Sequence, residues 1–167
     1  MTTQIIILQG GEDVKRRTNE TLFKDVRKLS SSGKILVIPW TSDSLEKETE
    51  YSRMFHDYFS HCGFKEVLFL AKTDPENEIQ RKLSEVDTIY LPGGDTEILY
   101  REMKQRVLQD RLFEFQGIII GNSAGAIVLS KGGGATENST PVSGSSISMF
   151  LFITNSMRVT LQKLKIL

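Results

Sequence analysis

Five short, almost wholly apolar runs punctuate this sequence: Gln4–Gln9 (QIIILQ), Lys34–Pro39 (KILVIP), Glu66–Leu70 (EVLFL), Asp87–Leu91 (DTIYL) and Gly117–Ile120 (GIII). A strand with one wet face alternates apolar and polar residues, and these runs do not, so they read as strands buried on both faces. Segments of helical periodicity separate them. Val14, Thr18, Leu22, Val26 and Leu29 form one stripe, with Lys15, Arg16, Glu20 and Lys24 on the opposite face. Ser44 can cap a second helix that runs to about Cys62 and stops at Gly63, and Pro75 suits the first turn of a third. Thr96–Val107 is a fourth, with Ile98, Leu99, Met103 and Val107 inward, and Ala124–Leu129 begins another. Strands that alternate with helices bury both faces best as an α/β fold, a three-layer α/β/α sandwich with a mostly parallel sheet. Ligands of such sheets bind at the carboxyl ends of the strands, so the Gly-rich segments after the first, fourth and fifth runs are expected to gather at one edge.

The 167 residues fit one domain, and 21 basic against 21 acidic residues leave no net charge to mark a nucleic-acid or anionic-membrane surface. Ile5–Leu8, the longest early apolar run, is far too short for a signal peptide or a membrane span. The lone Cys62 excludes an internal disulfide and a cysteine-based zinc site, and with only His56 and His61 beside it no metal is expected. A cytoplasmic location follows as the expectation.

Gly121-Asn122-Ser123-Ala124-Gly125 joins the fifth run to the helix after it. A serine between glycines at a strand-to-helix turn is the pattern of a nucleophile elbow, in which the glycines admit a strained backbone and the hydroxyl stands out from the sheet edge. The Ala124 amide, at the helix N-terminus, would then point where an oxyanion forms. The competing reading is a tight Gly-rich turn with an incidental serine. Pro92-Gly93-Gly94-Asp95-Thr96 follows the fourth run. It reads as a loop and helix cap through Asp95 or Thr96, or as a source of a backbone N–H from Gly93 or Gly94 facing Ser123.

Together, PGGDT and, some two dozen residues later, GIIIGNSAGAIVLS resemble the peptidase E family of aspartyl dipeptidases and cyanophycinases. LQGG and ILVIPW stand where that family has its first two strands, and the resemblance covers roughly residues 4 to 137. It implies a class I glutamine-amidotransferase-like, flavodoxin-like sandwich and serine-type hydrolysis of short peptides with an N-terminal aspartate, without metal or organic cofactor. It implies Ser123 as nucleophile, Glu137 as the acidic triad member, and Gly94 and Ala124 as oxyanion-hole amides. Gly93, Asp95, Thr96 and Asn122 would contact substrate, although many relatives carry asparagine where this chain has Asp95. The implied partner is a short peptide, with no nucleic acid or membrane, and a homodimer stays open. A cyanophycin-like polymer is the nearest alternative substrate. Glutamine amidotransfer is disfavoured, because those enzymes carry cysteine at the elbow.

The family places its histidine downstream of the acid, and no histidine follows His61 here. His56 and His61 read as surface or boundary residues of the second helix, and Lys131 stands on a helix leading away from the elbow. The tail is unusual too. All acidic residues fall at or before Glu137, Asn138–Met157 carries no charge, and Ile147–Ile153 (ISMFLFI) reads as one more strand. The domain is therefore placed at 1–137, with 138–167 an atypical tail that completes or replaces its end. Truncation or a slipped reading frame accounts for the tail as an alternative to a native serine-rich segment. Two function readings remain: a peptidase-E-like hydrolase by descent, whose activity the missing histidine leaves open, and a non-catalytic binding protein that keeps the fold.

Overall fold

The computed structural model describes residues 4–132, 149–154 and 158–162. Five parallel strands, β1 (Ile5–Gln9), β2 (Lys34–Val37), β3 (Glu66–Phe69), β4 (Thr88–Leu91) and β5 (Ile118–Asn122), lie in the order β3-β2-β4-β5-β1. The apolar run of the tail forms β6 (Met149–Thr154), parallel to β1, and β7 (Arg158–Gln162) pairs antiparallel with β6. The helices are α1 (Glu20–Leu29), α2 (Leu45–His61), α3 (Glu76–Glu85), α4 (Thr96–Gln105), α5 (Leu108–Glu114) and α6 (Ala124–Gly132).

Successive strand residues point to opposite faces, and both faces are covered. Ile35, Val37, Tyr90, Ile118 and Ile120 pack with Phe23 and Val26 of α1 and Phe55, Tyr58 and Phe59 of α2. Leu36, Ile89, Leu91 and Ile119 pack on the other side with Ile79 of α3, Leu99 and Met103 of α4, Leu108 and Leu112 of α5, and Val128 of α6. The chain is thus the α/β/α sandwich that its strand composition demands.

Two helices depart from the periodicity reading. The first begins at Glu20 rather than near Val14, because local hydrogen bonds close turns before it. The Asp13 carboxylate accepts from the Arg16 N–H at 3.0 Å, the Asp13 N–H donates to Thr18 Oγ1 at 3.1 Å, and Arg17 takes a left-handed φ of 53°. Phe23 then leads the buried face and Leu29 is left 65% exposed. The fourth helix ends at Gln105, and α5, which periodicity did not separate, starts at Leu108. Between them Val107 has a φ of 51° and faces solvent instead of the core. The Arg106 guanidinium anchors this break, lying 5.1 Å from the Trp40 ring centroid and donating to the Lys72 carbonyl at 2.6 Å.

Asp87, ahead of β4, clamps the α1–β2 connection. It accepts from Ser30 Oγ at 2.5 Å, the Ser32 N–H at 2.7 Å and Ser32 Oγ at 2.8 Å. Burial pushes its carboxyl up, but these donors outweigh burial and hold it below the usual carboxylate range. The folded chain therefore gives up this proton at lower pH than the unfolded chain, and the associated stability is present above the ordinary value and lost as pH falls through the lowered one. Replacing Asp87 with alanine is expected to cost about 2–3 kcal/mol at neutral pH, for the loss of charge-assisted hydrogen bonds and the orphaning of their donors. Urea unfolding at neutral and acidic pH checks this, with the gap between the two proteins closing in acid.

Candidate active site

Because β4, β5 and β1 are neighbours, the loops that follow them share one edge. Two backbone bonds draw them together: the Ser123 N–H donates to the Gln9 carbonyl at 3.0 Å, and the Gly125 N–H to the Pro92 carbonyl at 3.2 Å. Ser123 has a φ of 48° and is exposed at the turn between β5 and α6. A non-glycine residue held there costs on the order of 1–3 kcal/mol and persists only where the surroundings impose it. The surroundings here are crowded. A Cβ on Gly121 would stand 2.7 Å from the Gly125 carbonyl group, and one on Gly125 only 2.2 Å from the Leu91 carbonyl oxygen.

The PGGDT segment closes over this turn. A Cβ on Gly93 would lie 3.3 Å from Ser123 Cβ, so the bare backbone of Gly93 stands beside the serine. Gly94, with φ +136°, is pressed against Thr41, and the Asp95 N–H donates to the Thr41 carbonyl at 3.1 Å. The amide of Ala124, at the first position of α6, finds no acceptor among the described residues. Asp95 caps α4: its Oδ1 accepts from the Glu97 and Ile98 amides at 2.9 and 3.0 Å. Thr96 is the first residue of that helix and is half-buried. Asn122 is buried on the α1/α2 face, where its Nδ2 donates to the Tyr90 hydroxyl at 3.3 Å. Gly93, Asn122, Ser123 and Ala124 therefore converge, while Gly94, next in the chain after Gly93, lies against Thr41. Glu137 and residues 138–148 lie outside the described residues.

The two histidines do not join this group. His56 is exposed on α2 with Nδ1 3.4 Å from Asp57, and His61 Nε2 lies 3.0 Å from Glu20. Lys131 is in the last turn of α6, beyond the elbow. Cys62 is buried at the end of α2, its thiol pushed up to about 11 by burial, which leaves it unreactive near neutrality. Among the described residues no cluster of His, Cys, Asp or Glu could hold a metal ion, and no helix is long and apolar enough to cross a membrane.

Sequence reasoning passed over Thr41, Glu12, Tyr58 and Tyr90. The first two lie in the loops that follow β2 and β1, so their place after a strand was a usable signal. The tyrosines belong to apolar patterns, and nothing in those patterns shows where a hydroxyl points.

The profile of peptidase family S51 matches residues 5–156. Among solved structures, a putative peptidase E protein from Listeria monocytogenes EGD-e is 26% identical, with a TM-score of 0.59 over 72% of this chain and 59% of that one. A peptidase from an acI-B1 Actinobacterium is 20% identical, also with a TM-score of 0.59, over 74% of this chain and 56% of that one. The chain thus spans less than two thirds of the length of these structures. No curated protein matches.

Proposed function

The chain belongs to peptidase family S51, and from that premise we propose that Ser123 is the nucleophile of a serine-type peptidase site that acts on short peptides. The exposed, left-handed Ser123, seated between Gln9 and Gly93 at the carboxyl edge of the sheet, carries this reading. In the reaction Ser123 Oγ bonds to the peptide carbonyl carbon and passes its proton to a base. The Gly94 and Ala124 amides hold the oxyanion, the amine leaves with a proton, and water releases the acyl group from Ser123. Thr96, the Gly93 backbone and the Asn122 amide would meet the peptide, and Glu137 would be the acidic member. Asp95 contributes by fixing α4, since Oδ1 is taken by two amides. An N-terminal aspartate is the preferred first residue by likeness to peptidase E.

The base is the open element, since both histidines sit on the surface of α2. That observation favours a second reading, a binding protein that keeps the fold and the Gly-lined edge. Without a base, the oxyanion donors alone leave a small residual catalytic effect. We expect a fluorophosphonate probe to label the folded chain slowly, and labelling to vanish in Ser123→Ala at unchanged unfolding midpoint. Absence of labelling in folded protein would overturn the nucleophile and leave the binding reading.

A further inference from the structure

Thr41, in the loop that follows β2, is 3% exposed, and its hydroxyl finds no hydrogen-bond partner among the described residues. A buried hydroxyl left unpaired works against stability, and valine, of nearly the same shape, would carry no such penalty. An unpaired group of this kind next to a site calls for an explanation in what it touches. Thr41 touches Gly94. A Cβ at Gly94 would stand 2.6 Å from Thr41 Oγ1, 2.7 Å from its Cβ and 3.2 Å from its carbonyl oxygen, so the threonine fills the space that a side chain would take.

The PGGDT segment is tied down on either side of one peptide unit. Ahead of it, the Pro92 carbonyl accepts from the Gly125 N–H at 3.2 Å. Behind it, the Asp95 N–H donates to the Thr41 carbonyl at 3.1 Å, and the Asp95 carbonyl accepts from the Leu99 N–H at 3.2 Å. Between these anchors, neither the Gly93 carbonyl nor the Gly94 N–H has a backbone partner among the described residues. Glycines flank this unit on both sides, and glycine admits φ of either sign. Backbone hydrogen bonding therefore does not select the direction in which the Gly93–Gly94 peptide faces. Gly94 has a φ of +136° and is seated against Thr41, so packing makes the selection. The consequence falls on the serine, because a Cβ on Gly93 would stand 3.3 Å from Ser123 Cβ.

Thr41 is itself a fixed post. Its N–H donates to the Pro39 carbonyl at 2.9 Å, and the fully buried Trp40 before it donates from Nε1 to the Leu70 carbonyl at 2.7 Å. After it, Lys72 Nζ donates to the Ser42 carbonyl, and Asp43 pairs with Arg101 of α4 at 2.6 Å. The loop that carries Thr41 is thus held from the β3 side and from α4.

We propose that Thr41 is a positioning residue for the site, its slim hydroxyl and its carbonyl together seating Gly94 so that the Gly93–Gly94 peptide keeps one orientation beside Ser123. The proposal rests on Ser123 being the nucleophile and the Gly94 amide an oxyanion donor. A methyl group in place of the hydroxyl is broader and presses Gly94 away, whereas an empty space lets the peptide turn over. In either case the Gly94 N–H no longer points where charge develops during attack. The unpaired hydroxyl is then a local loss of stability tied to the shape of the site.

The test compares Thr41→Val, Thr41→Ser and Thr41→Ala in the whole chain. Thr41→Val removes the unpaired hydroxyl, so its urea midpoint is expected to hold or rise. Its fluorophosphonate labelling is expected to fall at least about tenfold, part of the roughly 100-fold or more that follows loss of a whole oxyanion donor. Thr41→Ser keeps Oγ1 and deletes a buried methyl, so its midpoint is expected to fall while labelling stays as in the unaltered chain. A packing role alone would move midpoint and labelling together. The 15N NMR signals of the Gly93 and Gly94 amides give a reading that needs no activity. They are expected to be single in the unaltered chain and in Thr41→Ser, and split or exchange-broadened in Thr41→Val and Thr41→Ala. Single glycine signals in both of these variants overturn the proposal, and so does labelling that tracks the midpoint across the set. Thr41→Ala decides by the same signals if Thr41→Val does not fold. If the unaltered chain is folded and does not label, the nucleophile falls, and the glycine signals alone decide whether Thr41 seats Gly94. Labelling that no Thr41 variant alters overturns Thr41 and spares Ser123.

Discussion

Replacing Gly125 with alanine is expected to destabilise the chain by about 3 kcal/mol or more, the upper end of what overpacking costs. Helix propensity alone points the other way, since alanine in place of a helical glycine is worth about 1 kcal/mol. Geometry decides against propensity. The new Cβ would stand 2.2 Å from the Leu91 carbonyl oxygen and 2.8 Å from its carbonyl carbon. Both belong to the backbone of β4 and cannot rotate away, so α6 must lift from the sheet. That lift breaks the Gly125 N–H bond to Pro92 and moves Ser123 from its place between Gln9 and Gly93. Gly10 is the control, because a Cβ there meets nothing within 4 Å and its φ is unremarkable. Urea midpoints of the two alanine variants should differ widely. A neutral or stabilising Gly125→Ala would show that α6 is not seated on β4.

Phe59→Ala is expected to cost about 3–5 kcal/mol, the range for deleting a fully buried aromatic side chain. Phe59 has no exposed surface. Its ring meets Phe23 at 4.9 Å, Tyr90 at 5.1 Å, Tyr58 at 5.5 Å, Phe64 at 5.9 Å and Phe55 at 6.0 Å between centroids. It is therefore the common neighbour of α1, α2 and β4, and the cavity left behind cannot be filled by a shift of any one of them. Edge-on aromatic pairs add roughly 0.5–1.5 kcal/mol each beyond the area they bury. The loss also reaches the site, because Phe59 braces Tyr90, whose hydroxyl holds the Asn122 amide. Chemical denaturation measures the cost. A loss below about 1 kcal/mol, well outside the range for large-to-small core changes, would show that this layer repacks freely.

Much of this architecture was legible in the residues. IIILQ, KILV and DTIYL carry their strand identity in composition, since a run without in-out alternation can only be satisfied between two layers. Ser44 was legible as a cap, and it does accept from the Lys47 amide at 3.4 Å. The helix boundaries were less so. The start of α1 depends on Asp13 and Thr18 bonding to nearby amides, and the break at Val107 depends on Arg106 reaching Trp40 and Lys72, which are remote in sequence. Hydrophobic periodicity does not record either contact.

The site divides in the same way. Sequence by itself determined the layered sheet, the GNSAG turn and its membership of a peptidase family, because those properties reside in local patterns of residue type. Tertiary structure alone decided that Gly93 lies against Ser123, that the Gln9 carbonyl holds the serine amide, that the Tyr58 hydroxyl meets Glu12, and that the Asn122 amide meets the Tyr90 hydroxyl. Strand order does this. β4, β5 and β1 are far apart along the chain but adjacent in the sheet, so groups with no local relation are brought within hydrogen-bonding reach by pairing that only the folded chain possesses.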